Sequence, residues 1–267
     1  MKKIIVGIII GVIRSGTVGV LASTIISSSN VTYQNKTVKE SLDELYSMAA
    51  KYRVYQNGDV VYYNPVTNKR CSAKESNSQT GTKTGCMKWY TFNDSGATAS
   101  TVNMILDHNT TATVQWNTNN KNVSYEDSDI KTEIEKLVSE SKWSVTPRLI
   151  SAEEVAKISG NTSFTNISSW FCLDTNQIDN TSSCSKLQGT SKYSWLFDYT
   201  NDCTKYGCNI ANSNIWGYWT STTFGNVGSG SNVWMVYRNG NLSYDLANRT
   251  TYYGVRPVVT ITKTIIE

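Results

Sequence analysis

Three sets of residues in this 267-residue chain have types and spacings that could do chemistry: six cysteines, an Asp107-His108 pair, and a C-terminal block dense in Trp, Tyr, Asn and Ser. The cysteines are Cys71, Cys86, Cys172, Cys184, Cys203 and Cys208, an even number falling as three sequence neighbours. Each neighbouring pair brackets a stretch rich in Gly, Ser, Asn, Thr and Lys, as expected of disulfides that staple surface loops in an oxidising compartment. Local pairing is the simplest of the connectivities they allow. Zinc chemistry has little support, because no Cys-x-x-Cys pair occurs and His108 is the only histidine. Asp107-His108 has the composition of a carboxylate-oriented general base. Neighbours on a strand face opposite sides of the sheet, so the sequence predicts a turn histidine ending a Val102–Leu106 strand, without catalytic geometry. No Gly-x-Ser-x-Gly element accompanies it.

The third set, Trp216 to Ile261, reads as strands enclosing polar loops: Trp-Gly-Tyr-Trp-Thr-Ser-Thr, a Gly/Ser loop, Asn-Val-Trp-Met-Val-Tyr-Arg-Asn-Gly-Asn, then Tyr-Gly-Val-Arg-Pro-Val-Val-Thr-Ile. Rigid amphipathic rings beside adaptable amides and hydroxyls make effective recognition surfaces. Trp216, Trp219, Tyr252 and Tyr253 are candidate stacking platforms. Most of the eight tryptophans, Trp234 above all, are expected in the core.

Composition narrows the partners. Only 17% of residues are charged, and the formal charge of +4 includes Lys2, Lys3 and Arg14 of an N-terminal segment without acids. Without that segment 22 basic residues face 21 acidic ones, or +1. No basic field remains to attract nucleic acid or an anionic membrane. Lys2-Lys3, the apolar run Ile4–Ile13 and the small residues from Ser15 to Ala22 follow the order of an export signal, with cleavage after Ala22. The competing form is an uncleaved anchor from Ile4 to Ile26. It would hold Arg14 in mid-bilayer at about 2.5–3.5 kcal/mol. Export is favoured, and whether the segment is cleaved or kept as an anchor stays open.

These residues must be positioned by a small set of elements. Thr37-Val-Lys-Glu40 is a capping box opening a helix with Val38, Leu42, Leu45 and Ala49 on one face. Val54 to Tyr63 predicts a hairpin about Asn57-Gly58, ended by Pro65. Strands follow at Met87–Phe92 and Val102–Leu106. Asp127 or Ser128 caps a helix with Ile130, Ile134, Leu137 and Val138 inward. Ser151-Ala-Glu-Glu154 caps another, with Val155 and Ile158 inward and Gly160 as its stop. Residues 161–214 are loop-rich and hold four cysteines. The closing block supplies three or four antiparallel strands, with a type I′ turn at Asn239-Gly240. No internal repeat is present. The expected class is α+β with an antiparallel sheet: residues 1–22 signal or anchor, 23–51 linker and short helix, 52–267 one domain.

Tyr218-Trp-Thr-Ser-Thr222, Val233-Trp-Met-Val-Tyr-Arg-Asn-Gly240 and Gly254-Val-Arg-Pro-Val258 together resemble the C-terminal half of a C-type-lectin-like fold. The branch is the bacterial one related to sulfatase-modifying factor, which includes uncharacterised gut-bacterial surface proteins. Gly58-Asp-Val-Val-Tyr-Tyr63, Leu106-Asp-His-Asn-Thr-Thr111 and Arg148-Leu-Ile-Ser-Ala-Glu-Glu154 look like further pieces of it. The resemblance covers most of Tyr52 to Ile261. It implies an antiparallel sheet with two or three helices and disulfide-stapled long loops, and it leaves the function open.

One group with this fold uses the C-terminal strands and loops as a variable display surface, rewritten by diversity-generating retroelements. The residues here with matching type and location are Asn226, Ser229, Ser231, Asn232, Asn239, Asn241, Ser243, Tyr244, Asp245, Asn248, Tyr252 and Tyr253. Asn, Lys, Ile and Tyr are abundant throughout the chain, as in an AT-rich coding sequence, which weighs against diversification itself but not against binding. The resemblance also implies an enzyme alternative. Formylglycine-generating enzymes use two cysteines four residues apart near copper, and Cys203-Thr-Lys-Tyr-Gly-Cys208 has that spacing. In that family the pair lies between the penultimate strand and the Gly-x-Arg end, whereas Tyr237 to Gly254 holds no cysteine here. A structural disulfide is favoured. The Glu-Pro-Asn, Gln-Pro-Asp and Trp-Asn-Asp motifs of calcium-dependent sugar binding are absent. Arg256, in a buried strand, is expected to pair with Glu153 or Glu154 as a scaffold element. The expectation is a non-catalytic binding protein without metal or cofactor, recognising a protein or glycan outside the cell. Its alternatives are the oxidase and a pilus-like structural subunit assembling through the Val38–Ala49 helix.

Overall fold

The computed structural model describes residues 32–33, 36–76, 83–111, 113–178, 184, 191–197 and 215–266. The proposed export segment and the Cys203/Cys208 pair lie outside the described residues. Among the described residues, no helix is long and apolar enough to cross a membrane.

The chain divides into two units, residues 1–51 and 52–267. In the first, β1 (Thr32–Tyr33) pairs antiparallel with β2 (Lys36–Thr37), and α1 (Val38–Tyr52) follows. The Thr37 capping box forms. The Thr37 N–H donates to Glu40 Oε2 at 2.7 Å and the Glu40 N–H to Thr37 Oγ1 at 3.2 Å. Leu42 and Leu45 are half-buried on α1, while Ala49 is exposed.

The second unit is α+β and carries two five-stranded sheets. The first contains β3 (Val60–Asn64), β4 (Lys69–Arg70), β5 (Met87–Phe92), β6 (Thr101–Leu106) and β12 (Val258–Thr262), ordered β12-β6-β5-β3-β4 and antiparallel throughout. The second contains β7 (Phe171–Cys172), β8 (Gly217–Thr223), β9 (Asn232–Tyr237), β10 (Asn241–Leu246) and β11 (Tyr253–Gly254), ordered β11-β8-β9-β10-β7. The strands of this unit thus form two sheets rather than one, and every pairing except the parallel β11–β8 one follows the expected antiparallel arrangement. Only the short β11, arriving from a loop rather than a hairpin, departs from the antiparallel rule.

Strand alternation divides the interior into two cores. Trp89, Val102, Met104, Leu106, Trp219, Val233, Met235, Val259 and Ile261 face one. Tyr90, Phe92, Ile105, Tyr218, Trp234, Val236, Leu242 and Val258 face the other. Because successive strand residues point to opposite faces, both sheets are buried on both sides, and runs such as Val233-Trp-Met-Val236 carry no polar alternation. Helix α2 (Asp129–Ser139) closes the first core with Ile130, Ile134 and Leu137. Helix α3 (Ala152–Ser159) closes the second with Val155, Ala156 and Ile158.

The helix ends follow the sequence closely. Ser128 caps α2, Ser151 and Glu154 form the full capping box of α3, and Gly160 ends α3 at φ 76°. Val138 departs from expectation. It is 41% exposed, one residue beyond the Ile130-Ile134-Leu137 face. The Asn57-Gly58 turn forms, but no strand precedes it. The Gly58 N–H donates to Thr91 O and the Thr91 N–H to Asp59 O, so the turn leans on β5 instead of pairing with β3. The β9–β10 connection is also corrected. Asn241 pairs with Tyr237, leaving a three-residue loop, Arg238-Asn239-Gly240. Gly240 has φ 81° while Asn239 is not left-handed, which rules out a type I′ turn. A Cβ at Gly240 would lie 2.9 Å from Phe197 Cζ, a second reason for glycine there.

Disulfides join Cys71 to Cys86 and Cys172 to Cys184, as local pairing predicts. Each closes a connection beside a sheet edge. Cys71 directly follows β4, Cys86 directly precedes β5, and Cys172 ends β7.

Candidate functional site

Three of the sequence pieces that carried the resemblance, Leu106–Thr111, Arg148–Glu154 and Gly254–Val258, meet at a seam. The Leu106 N–H donates to Pro257 O and the Thr110 N–H to Val255 O, while the Arg148 and Val258 backbones bond reciprocally. Asn109 Nδ2 donates to Gly217 O at the start of β8, tying the second sheet to the same run. Gly217 itself has no space for a side chain. A Cβ there would lie 2.0 Å from Val236 O.

Arg256 is fully buried at this seam. Its guanidinium donates to three backbone carbonyls, Leu106 O through Nε, Leu196 O through Nη1 and Trp195 O through Nη2. Its centre lies 5.3 Å from the Tyr218 ring. The expected pairing with Glu153 or Glu154 is therefore wrong. Glu154 binds Arg148 through two 2.7 Å contacts, and Glu153 accepts from Thr222 Oγ1. The capping box fixes Glu154 at the helix start, where Arg148 rather than Arg256 reaches it. Burial pushes the Tyr218 phenol up to about 12, with the Arg256 charge working in the opposite direction.

Asp107 and His108 form the contact that strand geometry argued against. His108 Nδ1 lies 2.5 Å from Asp107 Oδ1, because the two residues sit in the bend just beyond β6 rather than on it. His108 is 1% exposed, and its Nε2 has no hydrogen-bond partner among the described residues. The pair is therefore buried beside the seam. No group of His, Cys, Asp and Glu among the described residues could hold a metal ion.

The residues expected to form a recognition face separate into three groups. Trp219, Asn241 and Tyr253 are buried and leave the surface set. Trp219 is part of the first core and donates from Nε1 to Val114 O at 2.7 Å. Tyr253 donates its hydroxyl to Asp245 Oδ2 at 2.8 Å, and burial together with the Asp245 charge pushes its phenol far up.

The second group surrounds Trp216, just before β8. Trp216 stacks on Tyr252 with ring centroids 3.9 Å apart and planes 14° apart. The Arg238 guanidinium lies 4.9 Å from the Trp216 centroid. Tyr237 also meets Trp216 edge to face, with ring centroids 5.9 Å apart. Arg249 lies over Tyr252 at 5.9 Å and pairs with Asp245 at 2.8 Å. The result is a cluster of Arg238, Trp216, Tyr252 and Arg249, with Asp245 bonded to both Arg249 and Tyr253 and with half-buried Asn239 and Asn248 nearby in the chain. The backbone holds the same geometry, because the Trp216 N–H donates to Tyr252 O at 2.7 Å.

The third group is the β8–β9 loop. Asn226 and Ser229 are exposed, whereas Ser231, Asn232, Ser243 and Tyr244 are half-buried. Tyr244 packs on Phe224 and Trp234 at 4.1 and 5.3 Å. A single buried residue, Asn122, organises this loop. Its Nδ2 donates to Phe224 O and Asn226 O, and its Oδ1 accepts from the Gly228 and Gly230 N–H groups. The loop is therefore bonded in place from its inner side while its tip stays exposed, with Val227 at 58%.

Sequence reasoning missed Arg238, Arg249 and Asn122. Arg238 stands within a quoted motif, and Asp245 lies four residues before Arg249, so two of the three left a local trace. Asn122 left none, being about a hundred positions from the loop it holds. Searches for relatives return no matching family model, no matching curated protein and no matching solved structure.

Proposed function

We propose that this is an exported or surface-tethered, non-catalytic protein that binds a protein or glycan ligand through the face built by Trp216, Arg238, Tyr252, Arg249 and the Asn226–Ser229 loop tip. One observation carries the reading. Asn122 and Asp245, with the Trp216–Tyr252 stack, hold the polar surface loops in fixed geometry, so little ordering entropy remains to be lost on binding. Catalysis is given no part in this reading. Two disulfides support a location outside the reducing cytoplasm. The finer fold assignment is a C-type-lectin-like domain of the sulfatase-modifying-factor-related branch. It is supported by the meeting of the Leu106–Thr111, Arg148–Glu154 and Gly254–Val258 runs at one seam.

Binding of the full chain to protein and glycan arrays tests the reading. Trp216→Ala with Tyr252→Ala is expected to lower any specific signal at least tenfold, while Lys39→Ala, on α1, leaves it unchanged. A specific ligand whose binding ignores both variants would place recognition elsewhere on the molecule.

A further inference from the structure

We infer that the ligand of this face is an extended protein segment that engages both of its ends at once, the Trp216–Tyr252 cluster at one and an aliphatic tip carrying Val227 and Ile167 at the other. The inference rests on the binding function proposed above and sets the size and class of the ligand. Strand β9 fixes the separation. It runs from Asn232 to Tyr237, with Ser231 of the β8–β9 loop before it and Arg238 of the cluster after it. At about 3.3 Å per strand residue, Ser231 and Arg238 are on the order of 20 Å apart. A chain of contacts joins the two ends. Tyr252 stacks on Trp216, Arg249 lies over Tyr252 and pairs with Asp245, and the Ala247 N–H donates to Ser231 O. A single sugar ring is too short to reach from one end to the other, whereas an extended peptide of about six residues is long enough.

The far end has a chemistry of its own. Ile167 is 68% exposed and Val227 58%. Both are on turns whose backbones are fixed. The Ser168 N–H donates to Thr165 O and the Thr165 N–H to Ser168 Oγ, closing a turn around Asn166 and Ile167. That turn is joined to the β8–β9 loop, because the Gly225 N–H donates to Asn166 O and Asn166 Nδ2 to Gly225 O. A Cβ at Gly225 would lie 4.0 Å from Ile167 Cγ2, so the Ile167 side chain stands beside the loop that carries Val227. From Asn166 to Ser168 and from Gly225 to Gly230 the chain has no charged and no aromatic residue. Such a tip gives a sugar no ring to stack on, and gives an anionic lipid or nucleic acid no cation. It suits the apolar side chains of a protein, which are buried beside aromatic and Arg contacts within one interface. Holding both turns in place before contact reduces the ordering lost on binding.

Random peptides of about twelve residues, displayed on phage and selected on the full chain, supply the probe. The selected sequences are then remade at about four residues, too short to span the face. An array of mono- to hexasaccharides is probed in parallel. The expected result is peptide binding that falls at least tenfold in Trp216→Ala, at least tenfold in Ile167→Ser with Val227→Ser, and at least tenfold when the peptide is shortened. Thermal unfolding of each variant verifies that it is folded. Peptides sensitive to a change at one end only, or bound equally well when shortened, would overturn the inference and leave the binding function standing. Binding of saccharides and no peptide, with loss in Trp216→Ala, would do the same. Ligands insensitive to changes at both ends, or no ligand in either set, would contradict both.

Discussion

Trp216 directly precedes β8 and Trp219 lies three residues on within it, yet the protein uses them in opposite ways. Trp219 is sealed in the first core, with its indole N–H bonded to Val114 O. Trp216 is half-buried, against the Tyr252 ring and the Arg238 guanidinium. The cations divide likewise. Arg256 and Lys263 are fully buried and bonded to backbone carbonyls and, for Lys263, to Asp94. Arg238 and Arg249 lie half in water on aromatic faces. Identical side chains thus serve as framework where their donors end on main chain, and as display where they end on rings.

If that division is right, the framework variants should cost the most. Arg256→Met would leave three buried carbonyls without their donor. At about 1–3 kcal/mol for each unsatisfied group the protein should lose more than about 3 kcal/mol or fail to accumulate. Equilibrium urea unfolding measures this, and a loss below about 1 kcal/mol would remove Arg256 from the framework.

The Asp94–Lys263 pair comes next. Its side chains are 1% and 0% exposed and 2.8 Å apart, and the pair fixes the end of β12 to the loop after β5. Asp94→Ala should cost about 3–5 kcal/mol, because it strands a buried ammonium. Burial opposes ionisation of Asp94. The hydrogen bonds from Lys263, the Tyr55 N–H and the Gly96 N–H outweigh it and hold the carboxyl below the ordinary range. A lowered folded-state value means the contribution is fully present above the unfolded-state value and is lost as pH falls through the folded one. Acid unfolding of the native protein should therefore be shallower in Asp94→Asn, whose stability lacks that component.

Removal of the two disulfides should cost about 2–4 kcal/mol each. Reduction under native conditions, followed by thermal unfolding, measures it. The alkaline side gives a smaller effect. Burial raises the Tyr63, Tyr125, Tyr218 and Tyr253 phenols. Raised values mean stability is complete below the ordinary tyrosine value and declines as pH rises beyond it. Phenolate absorbance should accordingly appear for these four only with unfolding. The display residues come last in stability. Tyr252→Ala should cost about 1 kcal/mol, the worth of one aromatic pair and its partial burial, while affecting binding most.

Much of this framework was legible in the sequence, because it depends on local signals. Ser128, Ser151 and Glu154 announced the helix starts, Gly160 a helix end, and the cysteine neighbours the two described disulfides. What escaped depended on distant chain segments. The two-sheet arrangement follows from β12 returning to β6, a pairing no local pattern encodes. Arg256 was placed in the framework by its motif, but its carbonyl partners sit sixty and more positions away. The recognition face was legible in composition but not in detail. Strand parity cannot distinguish a rim tryptophan from a core one when both faces of a sheet are buried, so Trp219, Asn241 and Tyr253 looked available and are not. Asp107 and His108 show the converse, since the bend after β6 frees them from the parity that argued them apart.

The most direct test of the division between framework and display is the thermal unfolding of Trp219→Ala against Trp216→Ala. Removing the fully buried indole should cost about 3–5 kcal/mol, through lost burial and the cavity it leaves. Removing the rim indole should cost no more than about 1.5 kcal/mol, the worth of its ring stack and cation contact. Equal losses in the two variants would contradict the account, for Trp216 would then belong to the framework.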